Sequence, residues 1–67
     1  RSTRQKIVLY LSDLARKKGK ATFSLPFNRQ QMADFLSVDR SALSAELSKM
    51  KKEGLIDYRK DKFTLLQ

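Results

Sequence analysis

The segment spanning residues 28–47, NRQQMADFL-SV-DRSALSAEL, constrains the fold most, because two short helical patterns meet there across a two-residue break. Asn28 and Asp39 are residue types that cap helix N-termini, and Gln31 follows Asn28 at the spacing of a capping box. Ala33 supplies the small residue that closely crossing helices need. Apolar residues lie at helical spacing on the facing sides of the pair: Met32, Leu36, Val38, Leu43 and Leu47. This arrangement predicts a helix-turn-helix.

Further helices and strands are predicted on both sides of this helix pair, in a definite order along the chain. Residues 3–18 predict an amphipathic helix, and the alternating stretch 21–25 predicts a short strand. The helix after Asp39 is expected to end near residue 53, and LIDY and KFTLL predict two strands joined through RKDK. The order predicts an α+β fold, a winged helix-turn-helix of three helices with a short strand after the first helix and a C-terminal β-hairpin wing.

Several side chains carry expectations about the core. Phe35 is predicted to form the inner face of the second helix together with Met32 and Leu36. Glu46 lies about 60–70° away from the apolar stripe of the third helix, which predicts a half-buried or ion-paired carboxylate. All the phenylalanines lie in apolar patterns and are predicted to be core residues: Phe23, Phe27, Phe35 and Phe63.

Charge and missing residue types limit the function classes. The 67 residues include 15 Lys and Arg against 7 Asp and Glu, which gives a net charge of +8 and a pI near 10.2. The sequence has no Cys and no His, which excludes disulfides and removes the usual general base. We therefore expect no enzyme, no catalytic residue and no metal site. The longest apolar run, IVLYL, is too short to cross a membrane, and the positive excess favours a polyanionic partner.

The outward face of the third helix is small and weakly polar, although exposed helix faces usually carry Lys and Glu. With Leu43 and Met50 pointing inward, the outward positions at about 100° per residue are Ser41, Ala45, Ser48 and Lys52. Small side chains there would let the helix lie deep in the major groove of DNA. The predicted base-reading residues are Arg40, Ser41, Ser44 and Ala45. The alternative is that Ser and Ala are merely tolerated on a surface.

The tip of the predicted hairpin is basic. Arg59, Lys60 and Lys62 would lie along the sugar-phosphate backbone if the hairpin acts as a wing. A solvated turn whose charges prevent edge-to-edge sheet pairing explains the same residues equally well from the sequence alone. The N-terminus of the third helix beside Asp39 also suits a phosphate.

A longer stretch resembles a known family. LSDLARKKG, followed by SLPFNRQQMADFLSVDRSALSAELSKMKKEGLI, is similar to the C-terminal winged helix-turn-helix DNA-binding domain of the cyclic-AMP receptor protein / fumarate-nitrate regulator (Crp/Fnr) family of bacterial transcription regulators. The resemblance covers nearly the whole chain and implies that Arg29 and Gln30 contact phosphates and that Arg40 reads a base. The complete set of expected phosphate contacts is Asn28, Arg29, Gln30, Asp39, Arg59, Lys60 and Lys62.

Three positions depart from the family pattern. Ser37 stands where the family has its turn glycine, Ala42 replaces a threonine, and Ala45 replaces the second arginine of the recognition helix. The sequence preference of relatives therefore does not transfer to this chain.

The resemblance also implies a wider context. Residues 1–67 are expected to be a single domain, a fragment of a longer regulator that lacks its N-terminal sensor domain. The expected function is sequence-specific binding of double-stranded DNA for transcription regulation, with residues 40–53 in the major groove and the hairpin on the backbone. No cofactor is expected in the fragment, whereas a cyclic nucleotide or other effector would bind the missing domain. The full-length protein is expected to be a homodimer in the bacterial cytoplasm and the fragment a monomer, with RNA polymerase as a candidate partner and no membrane contact.

One alternative belongs to a different class. The same fold can serve as a winged-helix protein-interaction module that does not bind DNA. Acidic residues on the third helix would favour that interpretation, and the outward face of this helix has none.

Overall fold

The computed structural model describes residues 2–66, so residues 1 and 67 of the predicted single domain lie outside the described part of the chain. The elements follow in the predicted order: α1 (Thr3–Lys18), β1 (Thr22–Ser24), α2 (Arg29–Leu36), α3 (Arg40–Lys52), β2 (Ile56–Arg59) and β3 (Lys62–Leu65). The α+β winged helix-turn-helix predicted from the sequence is confirmed.

The strands form one antiparallel sheet in the order β1-β3-β2, so β3 is the central strand. Phe23 of β1 and Tyr58 of β2 both lie opposite Phe63 of β3. The hairpin closes through Lys60 and Asp61, because Arg59 pairs with Lys62. The pairing of β1 with β3 joins the hairpin to the strand that follows α1.

Side chains fix where each helix begins. The Ser2 hydroxyl accepts a hydrogen bond from the Gln5 backbone N–H, and the Gln5 side chain accepts one from the Ser2 N–H. Asn28 and Gln31 form the same reciprocal capping box at α2, as the sequence predicted. These bonds satisfy amide groups that have no partner within a helix.

The core lies between α1, the helix-turn-helix and the inner face of the sheet. Its fully buried side chains include Ile7 and Leu11 of α1, and Phe63 of β3. The predicted crossing residue Ala33 is also buried completely. Leu43, Leu47 and Met50 of α3 and Met32 of α2 complete this centre, with Phe23, Leu25 and Ile56 beside it.

The prediction that Phe35 belongs to the core is wrong, because 62% of this residue is exposed. The eight-residue helix α2 buries Met32 and Ala33, which places its inward direction between those two positions. At about 100° per residue, Phe35 then falls more than about 90° from that direction. Its ring packs instead at the surface, 5.2 Å from Tyr10 and 5.7 Å from Phe27 between centroids.

The turn between α2 and α3 keeps a left-handed residue although glycine is absent. Ser37 has φ 58° and ψ 46°, and its N–H is directed to the carbonyl groups of Ala33 and Asp34. The Val38 N–H donates to the Ala33 carbonyl at 2.9 Å. Serine therefore adopts the conformation for which the family uses glycine, and its Cβ makes that conformation unfavourable by about 1–2 kcal/mol.

Candidate nucleic-acid interface

The outward face of α3 is exposed as its spacing predicted. Leu43, Leu47 and Met50 are buried, which fixes the inward direction of the helix. The exposed residues on the opposite side are Arg40, Ser41, Ser44, Ala45, Ser48 and Lys52. None of these six residues is an Asp or a Glu, so they contribute no carboxylate to the face. A helix with this face can approach the floor of a groove closely.

The first turn of α3 is held by Asp39. Its Oδ2 accepts hydrogen bonds from the N–H groups of Ser41 at 3.0 Å and Ala42 at 3.3 Å. Those amides are two of the donors that a phosphate at this helix end would use. Asp39 therefore fixes the start of the helix, and Arg40 occupies the first exposed helical position beside it.

The three basic residues of the wing surround its turn. Arg59, Lys60 and Lys62 are all exposed. Lys60 has φ 59°, a left-handed conformation that carries the two-residue turn. The structure thus places around the wing turn the three cations for which the sequence left phosphate contact and a solvated turn as equal alternatives.

Arg29 fastens the wing to the start of α2. Its Nη2 donates to the Lys60 carbonyl at 2.8 Å, and its guanidinium carbon lies 5.2 Å from the Tyr58 ring and 4.9 Å from the Phe63 ring. On the other side, Lys51 of α3 lies 4.7 Å from the Tyr58 ring and donates to the Tyr58 carbonyl. Both cations stabilise the hairpin through its aromatic residues.

The other predicted phosphate contacts lie at the N-terminus of α2. Asn28 caps that helix through its side-chain oxygen, while its remaining surface is exposed. The Gln30 side-chain amide donates to Asp34 at 3.0 Å. Asn28 and Arg29 line a shallow groove with Lys60 and Asp61 of the wing turn. The structure therefore places the α2 N-terminus next to the wing.

A family model described as the Crp-like helix-turn-helix domain matches residues 5–67. The chain belongs to that family. It is also 32% identical over 65 residues to the transcriptional activator protein FnrL of Cereibacter sphaeroides, an alignment that covers 84% of this chain and 26% of the relative. The chain thus spans about a quarter of the length of this curated relative. The resemblance to Crp/Fnr regulators is confirmed, and the domain is of a DNA-binding class used in transcription regulation.

One charged network of this Crp-like domain was only half predicted. The Glu46 side chain is 19% exposed and pairs with Arg4, whose Nε lies 2.6 Å from its Oε2. The half-buried, ion-paired carboxylate expected at this position is confirmed. The same guanidinium donates to both carboxylate oxygens of Glu53 at 2.9 and 2.8 Å.

Sequence reasoning missed the arginine of this network because it lies 42 residues from Glu46 and 49 from Glu53. No local pattern marks such a partner. The hydrogen bonds to Glu53 and then to Glu46 raise the pKa of Arg4. The same hydrogen bond from Arg4 lowers the pKa of Glu53 below its ordinary value.

Metal sites and membrane-spanning helices are the other structural features relevant to function. Among residues 2–66, no group of three or more His, Cys, Asp or Glu is arranged to hold a metal ion. No helix in that part of the chain has the length and apolar character to cross a membrane.

Proposed function

We propose that this domain binds double-stranded DNA in a sequence-specific manner, with α3 in the major groove and the β2–β3 wing on the backbone. The observation that carries the proposal is the outer face of α3, which is exposed, free of carboxylates and built from small side chains between Arg40 and Lys52. A major groove of about 12 Å admits such a helix closely.

Base recognition in this proposal starts at the N-terminal half of α3. Arg40 is exposed at the first helical position and can bond a guanine edge through two guanidinium nitrogens. The hydroxyl groups of Ser41 and Ser44 can each donate or accept a hydrogen bond. Ala45, one turn after Ser41, keeps the centre of the helix close to the bases and can contact a thymine methyl group.

The proposed contacts to the DNA backbone lie around the base-reading residues of α3. The exposed wing cations Arg59, Lys60 and Lys62 would bind phosphates on one side of the groove. The α2 N-terminus would contribute Asn28, Gln30 and the guanidinium edge of Arg29 that the wing leaves free. The expected contact at Asp39 would be made by the N-terminus of α3 that it caps, because the Asp39 carboxylate itself repels phosphate.

The longer protein is a further part of the proposal. FnrL is described as a transcriptional activator, and we propose that this domain likewise directs a transcription regulator to its sites in the bacterial cytoplasm. That regulator would be a homodimer with an effector-binding domain, for a cyclic nucleotide or another ligand, and RNA polymerase would be its partner at promoters. Purifying the full-length protein and measuring its mass and effector-dependent DNA binding tests these points.

The salt dependence of binding tests DNA recognition in the 67-residue chain. If about five phosphates are neutralised, log K should fall against log salt with a slope of roughly −4 to −5. Fluorescence anisotropy with a labelled duplex gives K at each salt concentration. Absence of binding at low salt, or affinity that does not change with salt, contradicts the proposal.

A protein-interaction module remains the second candidate because of one observation. The ring of Phe35 is exposed and packs with Tyr10 and Phe27 into a surface aromatic cluster that the DNA proposal does not use. Large exposed apolar groups of this kind often mark protein contacts. Replacing Phe35 by Ser should leave DNA affinity unchanged. If a folded Phe35→Ser variant lost DNA binding, the result would favour neither the DNA-binding proposal nor the protein-interaction module.

A further inference from the structure

We propose that Arg4 is a positioning residue for DNA binding, because it holds and neutralises the Glu46 and Glu53 carboxylates on the flank of α3. Without Arg4 these two charges would face the phosphates that border the major groove. The inference rests on the proposed DNA binding and adds a residue of α1, outside the helix-turn-helix and the wing, to the determinants of affinity.

The contacts of Arg4 use all three of its guanidinium nitrogens. Nε donates to Glu46, and Nη1 and Nη2 each donate to one oxygen of Glu53. A guanidinium has five N–H groups in a fixed plane, and the hydrogen bonds that it makes to carboxylates are charge-assisted and short. The arrangement suits neutralisation of α3 better than a direct bond from Arg4 to DNA.

The position of Glu46 gives the network its importance. Glu46 lines the same shallow surface groove as Ala45, Ser48, Lys49 and Lys52, which include the outward face of α3. Its carboxylate is therefore beside the surface proposed to enter DNA. Glu53 follows two turns later, at the C-terminal cap of the same helix.

The size of the effect follows from charge and screening. Charges within a Debye length of about 8 Å at physiological salt still interact, and DNA presents several phosphates to the flank of a helix in its groove. Of the two ion pairs, the one with Glu53 is exposed and the one with Glu46 is half-buried, and pairs near the surface add little to folding stability. Their main effect is therefore expected in DNA affinity, where an unmasked carboxylate is repelled by every nearby phosphate.

The test compares variants of the 67-residue chain on one probe, a fluorescein-labelled mixed-sequence duplex of about 20 base pairs, or about two helical turns. Arg4→Gln removes the masking cation. Arg16→Gln is the matched control, because Arg16 is also an arginine of α1 paired with a carboxylate, Asp13, at 3.1 Å. Both variants lose the same charge.

Arg4→Gln is expected to weaken DNA binding by about 5- to 20-fold, and Arg16→Gln by less than about 2-fold. Adding Glu46→Gln to Arg4→Gln should recover at least half of the loss on a logarithmic scale. Adding Asp13→Asn to Arg4→Gln gives a protein of the same net charge and should recover little. Equal effects of the two arginine variants, or no difference between the two added changes, would overturn the inference.

A purely structural role of Arg4 predicts a different pattern. If Arg4 only holds α1 against α3, the Arg4→Gln/Glu46→Gln variant binds as weakly as Arg4→Gln, and the inference is wrong. Thermal unfolding of every variant shows which proteins are folded at the temperature of titration. Should Arg4→Gln be unfolded, Glu46→Gln/Glu53→Gln decides the matter: it keeps Arg4 and must bind at least as tightly as the parent, and weaker binding overturns the inference.

Failure of the inference and failure of the proposed function look different in this experiment. If the parent chain does not bind the duplex at low salt, DNA binding itself is wrong. If the parent binds with the expected salt slope and the Arg4 variants do not follow the pattern above, only the role of Arg4 is wrong.

Discussion

Ser37 shows how one residue can keep a turn at a cost in stability. The family resemblance implies glycine here, and the chain retains the left-handed conformation with φ 58° despite its Cβ. Two backbone contacts to α2, from the Ser37 and Val38 N–H groups to the Ala33 carbonyl, hold that geometry. The unfavourable conformation is maintained by the helices around it, as at other functional turns.

Replacing Ser37 with Gly is therefore expected to stabilise the domain by about 0.5–1 kcal/mol, because release of Cβ strain exceeds the added freedom of the unfolded chain. Urea unfolding followed by circular dichroism measures the change. The same substitution at Ser44, an exposed position inside α3, should destabilise by about 0.5 kcal/mol, because glycine favours the helix less than serine does. If Ser37→Gly destabilised the domain, the Ser37 hydroxyl would make a contact whose stabilisation exceeds the cost of the left-handed conformation.

Substitutions of Arg40 and Lys60 distinguish base reading from phosphate contact. Arg40→Ala should weaken binding to a selected site by about 1–3 kcal/mol and affect random duplex much less. Lys60→Ala should weaken both DNAs by similar factors and make the salt slope shallower by at most about one unit. Titration of both variants against a site selected from random duplexes tests this contrast. A uniform loss in Arg40→Ala would assign that residue to the backbone.

At the scale of elements, α3 combines an apolar stripe with a small outer face. Three of its residues are buried, and Ala45 on the opposite side is exposed. Replacing the exposed methyl group of Ala45 with hydrogen or with a longer side chain does not change the core. The outer face can therefore be altered without loss of the fold.

Ala45→Glu is expected to abolish DNA binding while the domain stays folded, because the new carboxylate points into the proposed groove contact. Thermal unfolding and DNA titration of the same preparation provide the two readings. Ala45→Gln, similar in size and uncharged, is the control and should retain part of the affinity. Normal DNA binding by Ala45→Glu would make the protein-interaction module the better hypothesis.

Local signals allowed most elements to be predicted. The capping box at Asn28 and the cap at Asp39 are short-range features, and the structure shows both of them. Phe35 could not be placed correctly, because α2 has only eight residues and its inward direction depends on what it packs against. The same limit applies to Arg4, whose partners are brought together by tertiary folding, and to the stacking of Arg29 on the wing.

At the scale of the whole molecule, charge couples folding to pH. Hydrogen bonds from Arg4 lower the pKa of Glu53, and those from Arg16 and then Lys17 lower the pKa of Asp13. A carboxylate whose pKa is lower in the folded state stabilises above its unfolded pKa and loses that contribution as pH falls through the folded value. Protonation also increases a net charge that is already +8.

Both effects act in the same direction, so the domain should lose stability as pH falls from about 5 to about 3. Thermal unfolding across this range measures the loss. Added salt should reduce it, because screening weakens repulsion among the cations. The Arg4→Gln/Glu46→Gln/Glu53→Gln variant should show a smaller decrease, and an identical pH profile would mean that the Arg4 network does not contribute.

The central position of β3 has a consequence for how the domain meets DNA. The inner strand of the wing, β3, is also the partner of β1. In the wing turn, the Leu25 N–H donates to the Asp61 carbonyl and Arg29 donates to the Lys60 carbonyl. These contacts hold the hairpin against β1 and the start of α2, so its offset from α3 is set when the chain folds. Because α3 and the hairpin are held in a fixed arrangement, the domain has little conformational entropy to lose when it binds DNA. The duplex must therefore adjust to the domain, through its own bending and groove width.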